Sequence, residues 1–186
     1  MKKNVKILGV DDAPFSFEDE VAEVVGVIVR APNYLEGVLR CSVSVDGSDS
    51  AERIAKMINS SGHREQIKGI MINGACVAGF NVVDIEKLYE LTNVGVMTLT
   101  NNKPRESAVR QALEKHFTDW KGRMEILGKG KRITIRVKEG KRAYDLYARY
   151  LGMGERSAID LVELSRVRGA LPEPVRMAHI IASAPY

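Results

Sequence analysis

The sequence has few of the residues on which disulfide-rich or zinc-stabilised domains depend. Its only cysteines, Cys41 and Cys76, cannot build a disulfide scaffold or a four-cysteine zinc site. Three histidines lie far apart and share no ligand spacing with the cysteines, which argues against a mixed zinc site. No apolar run reaches the ~18 residues of a membrane span, and the N-terminus lacks a signal-peptide pattern. We therefore expect a cytoplasmic protein with no membrane partner.

Common catalytic and nucleotide-binding motifs are also absent. The sequence contains no G-x-G-x-x-G string or phosphate-binding loop, and no serine, histidine and acid can be assigned as a triad. What is present is an average globular composition, with 45% apolar and 28% charged residues in 186. A chain of this length and composition suits one ordinary folded domain.

Positive charge is concentrated in one segment. Residues 121–142 contain nine lysine or arginine side chains and two acids. The net positive charge of this stretch is therefore larger than the net charge of the whole chain, which is +4. Such a block suits a polyanion such as nucleic acid, and a solvated positive face is the alternative. The nucleic-acid-binding surface that we predict from it contains Lys129, Lys131, Arg132 and Arg136.

The hydrophobic pattern predicts a change from antiparallel to parallel strand pairing. Three strands joined by loops come first, which favours antiparallel hairpins. Strands and helices then alternate up to residue 117, which favours parallel strands with helical crossovers. The predicted strands are residues 5–10, 21–30, 34–45, 67–72, 94–99 and 132–137, and the predicted helices are 49–60, 82–91, 104–117, 141–150, 155–166 and 174–182.

This order of elements predicts a ribonuclease H-like α/β fold. We expect a mixed sheet of five to six strands flanked by helices, forming a single domain over residues 1–186. Glycines and prolines separate three apparent helices near the C-terminus, so residues 138–186 are predicted to be a helical extension packed on the domain. Tyr144, Tyr147 and Tyr150 lie three apart on the first of these helices, where packing is the favoured role and a base-stacking platform is the alternative.

Acidic side chains follow several of the predicted strands. Asp11 and Asp12 end the first strand, where a rigidly held carboxylate is a good ligand for Mg²⁺ or Mn²⁺, although Asp-Asp-Ala-Pro is also a turn sequence. Asp49 begins a helix, and an N-cap role is the competing explanation there. The candidate metal ligands are Asp11, Asp12, Asp46, Asp49 and Asn73.

Several strings of the sequence resemble one protein family over nearly the whole chain. They are G-V-D-D-A-P-F (9–15), Y-L-E-G-V-L (34–39), V-D-G-S-D-S-A-E (45–52), A-G-F-N-V-V-D-I (78–85) and P-E-P-V-R-M-A-H-I-I-A (172–182). On these strings the chain is identified as a member of the archaeal domain-of-unknown-function family ninety-nine, a distant relative of endonuclease V. The resemblance implies a ribonuclease H-like fold and the Mg²⁺-dependent cleavage that endonuclease V performs at deaminated adenine.

The resemblance to endonuclease V also implies catalytic residues. Asp11 matches that enzyme's aspartate in its Gly-Val-Asp strand end. Asp49 is the best match to its glutamate, with Asp46 and Glu52 as alternatives, and Lys103 lies near its lysine after the fifth strand. The implied catalytic residues are therefore Asp11, Asp49 and Lys103, and the implied cofactor is Mg²⁺ or Mn²⁺.

Asn73 departs from the endonuclease V pattern. It stands with Gly74 where that enzyme has Asp-Gly, and the loss of a negative charge weakens the case for hydrolysis. One hypothesis is a divalent-metal-dependent nuclease acting on DNA or RNA. Another is a nucleic-acid-binding protein that has kept the fold and lost the chemistry. A protein-interaction module that docks through the C-terminal helices is the third, since fold alone does not fix function.

Overall fold

The computed structural model describes residues 4–185, which form a seven-stranded mixed sheet with helices on both faces. The sheet strands are β1 (Lys6–Asp12), β2 (Val21–Arg30), β3 (Tyr34–Ser44), β4 (Ile67–Asn73), β7 (Val96–Thr100), β8 (Lys131–Glu139) and β9 (Arg142–Leu151). Two short strands, β5 (Cys76–Val77) and β6 (Asn81–Val82), form a separate ribbon. The helices are α1 (Ser50–Asn59), α2 (Ile85–Thr92), α3 (Glu106–His116), α4 (Trp120–Gly128), α5 (Glu155–Ser165) and α6 (Glu173–Ala182). Within residues 4–185, none of them has the length and apolar character that crossing a bilayer requires.

The strand order across the sheet is β3-β2-β1-β4-β7-β9-β8. The first three strands pair antiparallel, because only short loops join them. β1, β4 and β7 then pair in parallel, and the helices α1 and α2 form the crossovers between them. The predicted change from antiparallel to parallel pairing is confirmed, and it brings the C-terminal ends of β1, β4 and β7 to one edge of the sheet.

The prediction of a helix over residues 141–150 is wrong. This segment is strand β9, which pairs antiparallel with β7 on one side and with β8 on the other, so the sheet has seven strands rather than five or six. The three-residue spacing of Tyr144, Tyr147 and Tyr150 suited a helix. The buried residues, however, are every second one, Leu146, Ala148 and Tyr150, which is the pattern of a strand. The segment 138–186 therefore consists of strand followed by α5 and α6. Residues 120–128, for which we predicted no element, form α4.

Successive strand residues point to opposite faces, which gives the sheet two apolar layers. One layer lies under α1 and α2, and the other lies under α5 and α6; we call these the α1/α2 face and the α5/α6 face. The first layer includes Leu8, Val10, Ile54, Ile58, Ile70, Ile72 and Leu88. The second includes Ile7, Met71, Met97, Leu161 and Val175.

Helix α6 approaches strand β1 very closely, because Gly9 has no side chain. A Cβ atom at residue 9 would lie 2.1 Å from the carbonyl carbon and oxygen of Pro174 and 2.6 Å from the nitrogen of Val175. Further along, Ala178 and Ala182 of α6 pack in a third apolar cluster with Val25, Val27 and Val29 of β2. Small residues on the helix thus allow it to lie flat across the first two strands.

Both cysteines are free and partly buried. Burial raises the pKa of the Cys41 thiol to about 11 and that of the Cys76 thiol to about 12. Both thiols therefore remain protonated near neutral pH. In this form the two cysteines behave as small, unreactive apolar side chains.

Candidate metal centre

Asp11 is the buried centre of a polar cluster at the C-terminal end of β1. The residue is 4% exposed. Its Oδ2 accepts a hydrogen bond from Nδ2 of Asn73 at 3.0 Å and lies 2.8 Å from Nδ1 of His179. Since β1 and β4 are parallel neighbours, Asp11 and Asn73 emerge at the same sheet edge, and α6 brings His179 over it. The three side chains share the α5/α6 face.

Asp12 points to the opposite face from Asp11, as the strand period requires. Its Oδ2 accepts a hydrogen bond from the backbone N–H of Ala78 at 2.8 Å. Burial raises the pKa of Asp12; the Ala78 hydrogen bond partly opposes this, and the charge of Asp11 adds to it. The two adjacent aspartates were both predicted to be metal ligands. Their carboxylates lie on opposite faces of the sheet and have different hydrogen-bond partners.

Asp46 lies on the α1/α2 side, in the loop before α1. Its Oδ1 accepts a hydrogen bond from the N–H of Phe80 at 2.7 Å, and its own N–H donates to the carbonyl of Ala78 at 2.9 Å. Arg123 of α4 ties the same two loops together, because its Nη1 donates to the carbonyl oxygens of Gly47 and Phe80 at 2.9 and 2.7 Å. Asp46 thus takes part in fixing the loop that follows β4.

Asp49 precedes α1 and is hydrogen-bonded through both carboxylate oxygens. Oδ1 accepts from Nδ2 of Asn81 at 2.8 Å and from the N–H of Ser44 at 3.1 Å, and Oδ2 accepts from Nε of Arg53 at 3.2 Å. Burial acts to raise the pKa of Asp49, but the hydrogen bonds outweigh it and hold that pKa below its ordinary value. Through these hydrogen bonds the carboxylate joins the end of β3 to the β6 loop.

Asn81 is the buried partner of Asp49, and its loss should destabilise the protein. Its Nδ2 also donates to the carbonyl of Ser44 at 2.9 Å, and its Oδ1 accepts from the N–H of Ser50 at 3.2 Å. Asn81→Ala leaves these buried groups without partners, so we expect the free energy of unfolding to fall by about 2–4 kcal/mol in urea titrations followed by circular dichroism. Asn59→Ala is the control, because exposed Asn59 donates one hydrogen bond to Leu91. Equal losses in the two variants would contradict the assigned role of Asn81.

The basic residues predicted to bind nucleic acid lie on and just before β8, and several have acidic neighbours. Nζ of Lys129 lies 2.7 Å from Asp84 and 2.9 Å from Glu86, and these bonds raise the pKa of Lys129. Arg132 forms an ion pair with Glu106. The charges of these two side chains are therefore largely compensated within the protein.

The remaining predicted basic residues are exposed. Nη1 of Arg136 lies 3.4 Å from Asp145 across the β8–β9 pair, and Lys131 begins β8. Lys103 lies in the exposed loop after β7, at the same sheet edge as Asn73. Within the chain that the structure describes, neither lysine has a carboxylate within ion-pair distance.

His179 is the functional candidate that the motif analysis did not single out. It stands 168 residues from Asp11 along the chain, and only the packing of α6 on β1 joins the two. Its side chain is 60% exposed while that of Asp11 is 5% exposed, so the imidazole forms the outer wall of the cluster. The available signal was its position inside the 172–182 string that carries the family resemblance.

The donor set around Asp11 fits one divalent cation. It contains a carboxylate, an imidazole and the amide of Asn73, whose Oδ1 has no hydrogen-bond partner among residues 4–185. Mg²⁺ is commonly held by one or two carboxylates, with water and substrate phosphates completing its shell. Over the same residues, no three His, Cys, Asp or Glu side chains lie close enough to share an ion.

Comparison with known proteins gives matches over the whole chain. The family model described as endonuclease dU matches residues 3–185. A UPF0215 protein from Methanothermobacter thermautotrophicus is 40% identical over 184 residues, covering 98% of this chain and 88% of that relative. The predicted membership of an archaeal family related to endonuclease V is confirmed by these matches together with the structural ones.

Solved structures share the fold. A protein of unknown function from Archaeoglobus fulgidus has a TM-score of 0.80 at 32% identity, with 95% of each chain covered. Endonuclease V from Ciona intestinalis, in complex with a 24mer DNA containing an inosine followed by a ribo-adenosine, has a TM-score of 0.63 at 11% identity, covering 97% of this chain and 85% of that one. The ribonuclease H-like, endonuclease V-like fold expected from the order of elements is confirmed.

Proposed function

Because this chain belongs to the endonuclease dU family, we propose that it is a divalent-metal-dependent endonuclease that cleaves DNA at deoxyuridine. The observation that carries the proposal is the buried Asp11 cluster at the edge where β1 and β4 end. Deoxyuridine and inosine are both deaminated nucleosides, and the endonuclease V structure with inosine-containing DNA supports this class of substrate. The partner of this protein would then be deaminated DNA, and its cofactor would be Mg²⁺ or Mn²⁺.

Asp11 and Asn73 are the residues that would hold the cation, through carboxylate and amide oxygens. A divalent ion bound there supplies Lewis acidity toward a phosphodiester and lowers the pKa of a coordinated water. Asn73 is neutral, so it contributes less to ion affinity than an aspartate would. Asp11 is therefore the residue on which affinity depends.

His179 is suited to move a proton at the same centre. In the neutral imidazole, donation from Nδ1–H to Oδ2 of Asp11 leaves Nε2 as the acceptor, and Asp11 fixes that tautomer. The exposed ring leaves Nε2 open to water and substrate. His179 can thus take a proton from an attacking water as a general base.

A nucleic-acid-binding protein without cleavage is the second candidate, and the amide at residue 73 favours it. Nδ2 of Asn73 donates to Asp11, which occupies a carboxylate oxygen that an ion would use. An aspartate in its place would add a second charge beside Asp11 and favour a bound cation instead. The two candidates therefore differ in what an acid at residue 73 should do.

The Asn73→Asp substitution tests both candidates. We expect it to tighten Mn²⁺ binding about tenfold in calorimetric titrations, since affinity for hard cations rises with ligand charge. Cleavage is measured on end-labelled DNA containing one deoxyuridine, one inosine or only ordinary bases, with Mg²⁺, Mn²⁺ or EDTA. Asn33→Asp is the matched control, because Asn33 is an exposed amide in the turn between β2 and β3.

Each outcome of that experiment has a definite meaning. Metal-dependent cleavage at deoxyuridine by the wild type supports the nuclease. Cleavage by Asn73→Asp alone supports the protein that has lost the chemistry. Mn²⁺ affinity that changes no more than in Asn33→Asp, with no cleavage by either protein, would contradict the placement of a metal at Asp11.

A further inference from the structure

A groove of about 370 Å³ opens on the α5/α6 face, one helical turn from His179. Arg176 lies in it and precedes His179 by three residues on α6, so the two side chains occupy the same side of the helix. The end of β7, the β8–β9 turn and the loop between α5 and α6 form the other walls. The residues that line the groove include Asn101, Glu139, Arg168, Gly169, Leu171 and Arg176.

The groove walls are tied together by hydrogen bonds. Arg166 donates from Nη2 to the carbonyl of Lys138 at 2.8 Å and from Nη1 to that of Gly169 at 3.1 Å. The N–H of Gly169 donates to Oε2 of Glu139 at 3.0 Å. The loop after α5 is thereby fixed to the end of β8, and the groove is formed before any ligand arrives.

Arg176 is pre-oriented by a buried acid. Its Nε lies 3.1 and 3.0 Å from the two oxygens of Glu173, which is 2% exposed. Its Nη1 has no hydrogen-bond partner in the part of the chain that the structure describes. A guanidinium held on one side and open on the other is suited to bind an anion at little entropic cost.

Uncompensated positive charge surrounds the groove. Arg168 lines it, and Arg142 sits opposite Glu139 in the strand register at its rim. Lys138 lies near the end of β8, and Lys141 lies in the turn that joins it to β9. All four are exposed, and no carboxylate among residues 4–185 lies within ion-pair distance of them, in contrast to Lys129 and Arg132.

We propose that this groove binds a backbone phosphate of the DNA strand beside the cleavage position, an inference that rests on the proposed function. The groove lining has arginines and no aromatic side chain on which a base could stack, which favours backbone over base recognition. Arg176 lies three positions before His179 on α6, a rise of about 4.5 Å along the helix. The bound phosphate is therefore close to the scissile one along the strand.

Charge reversal in the groove tests this assignment. Binding of fluorescein-labelled DNA containing one deoxyuridine is followed by anisotropy in EDTA over a range of salt concentrations. We expect Arg168→Glu and Arg142→Glu each to raise Kd about tenfold and to lower the slope of log K against log salt by about one. Lys68→Glu is the control, since exposed Lys68 lies near the opposite end of β4. Matching circular dichroism melting curves confirm that all variants fold.

The outcomes separate this inference from the proposed function. If cleavage occurs but both reversals bind DNA as Lys68→Glu does, the groove assignment is overturned and the nuclease stands. If binding is weakened by the reversals and no cleavage occurs, the groove is supported and the nuclease is overturned. A wild-type protein that binds no DNA overturns both.

Discussion

Replacing Asp11 with asparagine should abolish Mn²⁺ binding and slow cleavage of deoxyuridine DNA by about 10³-fold or more. Asp11 is the one carboxylate in contact with both Asn73 and His179. Asparagine keeps its size and removes its charge, so the variant lacks the only acid in the donor set. Loss of several kcal/mol of charge stabilisation corresponds to a rate effect of this size. Calorimetry and single-turnover cleavage measure the two effects independently.

Asp12→Asn is the matched control for this substitution. It removes the same charge one residue later, on the other face of the sheet. An asparagine oxygen can still accept the hydrogen bond from Ala78, so the loop after β4 stays in place. We expect cleavage to fall less than about tenfold. If Asp12→Asn were the more damaging change, the metal would belong on the α1/α2 side, with Asp46 as its neighbour.

Gly9→Ala should have the largest effect on stability of any single methyl group added to this protein. The new Cβ would meet the backbone of Pro174 and Val175, which cannot move without shifting all of α6. We expect the free energy of unfolding to fall by about 3 kcal/mol or more, and the cleavage rate of the folded fraction to fall as well, because His179 would leave Asp11. Urea titration and cleavage assays on the same preparation measure both.

Gly26→Ala provides the comparison on the neighbouring strand. Its Cβ would lie 2.9 Å from the terminal methyl of Met57 and 3.2 Å from a methyl of Leu8, and a methionine end can rotate away. We expect a loss of about 1 kcal/mol and normal cleavage. Comparable damage from the two alanines would show that the approach of α6 to β1 is not the constraint we describe.

Most of the sheet could be predicted from the sequence, because its strands are continuous apolar runs bounded by turns. The failure at residues 142–151 has a physical cause. Tyr144 and Tyr150 satisfy both a helical and an alternating pattern, and the choice between them depends on pairing with β8, across the tight turn after Glu139, and with β7, a strand more than forty residues earlier. Local sequence carries no record of the pairing with β7.

The sequence predicted only those residues of the candidate site that lie at the ends of strands. Asp11 and Asn73 follow buried apolar runs in neighbouring parallel strands, and the sequence shows both features. The role of Asp49 in holding Asn81 and the arrival of His179 depend on side-chain packing between distant segments. The division of Asp11 and Asp12 between two faces follows from the strand period and could have been stated in advance.

The position of α6 also affects how the protein is made. β1 and β2 leave the ribosome well before α6, the helix that covers Val25, Val27 and Val29. At about 5–20 residues per second, the gap between synthesis of Asp11 and of His179 is about 8–30 s. During that time the apolar surface formed by Val25, Val27 and Val29 is exposed to chaperones and to neighbouring nascent chains. The nascent chain therefore joins His179 to Asp11 only after residues 173–182 have been translated.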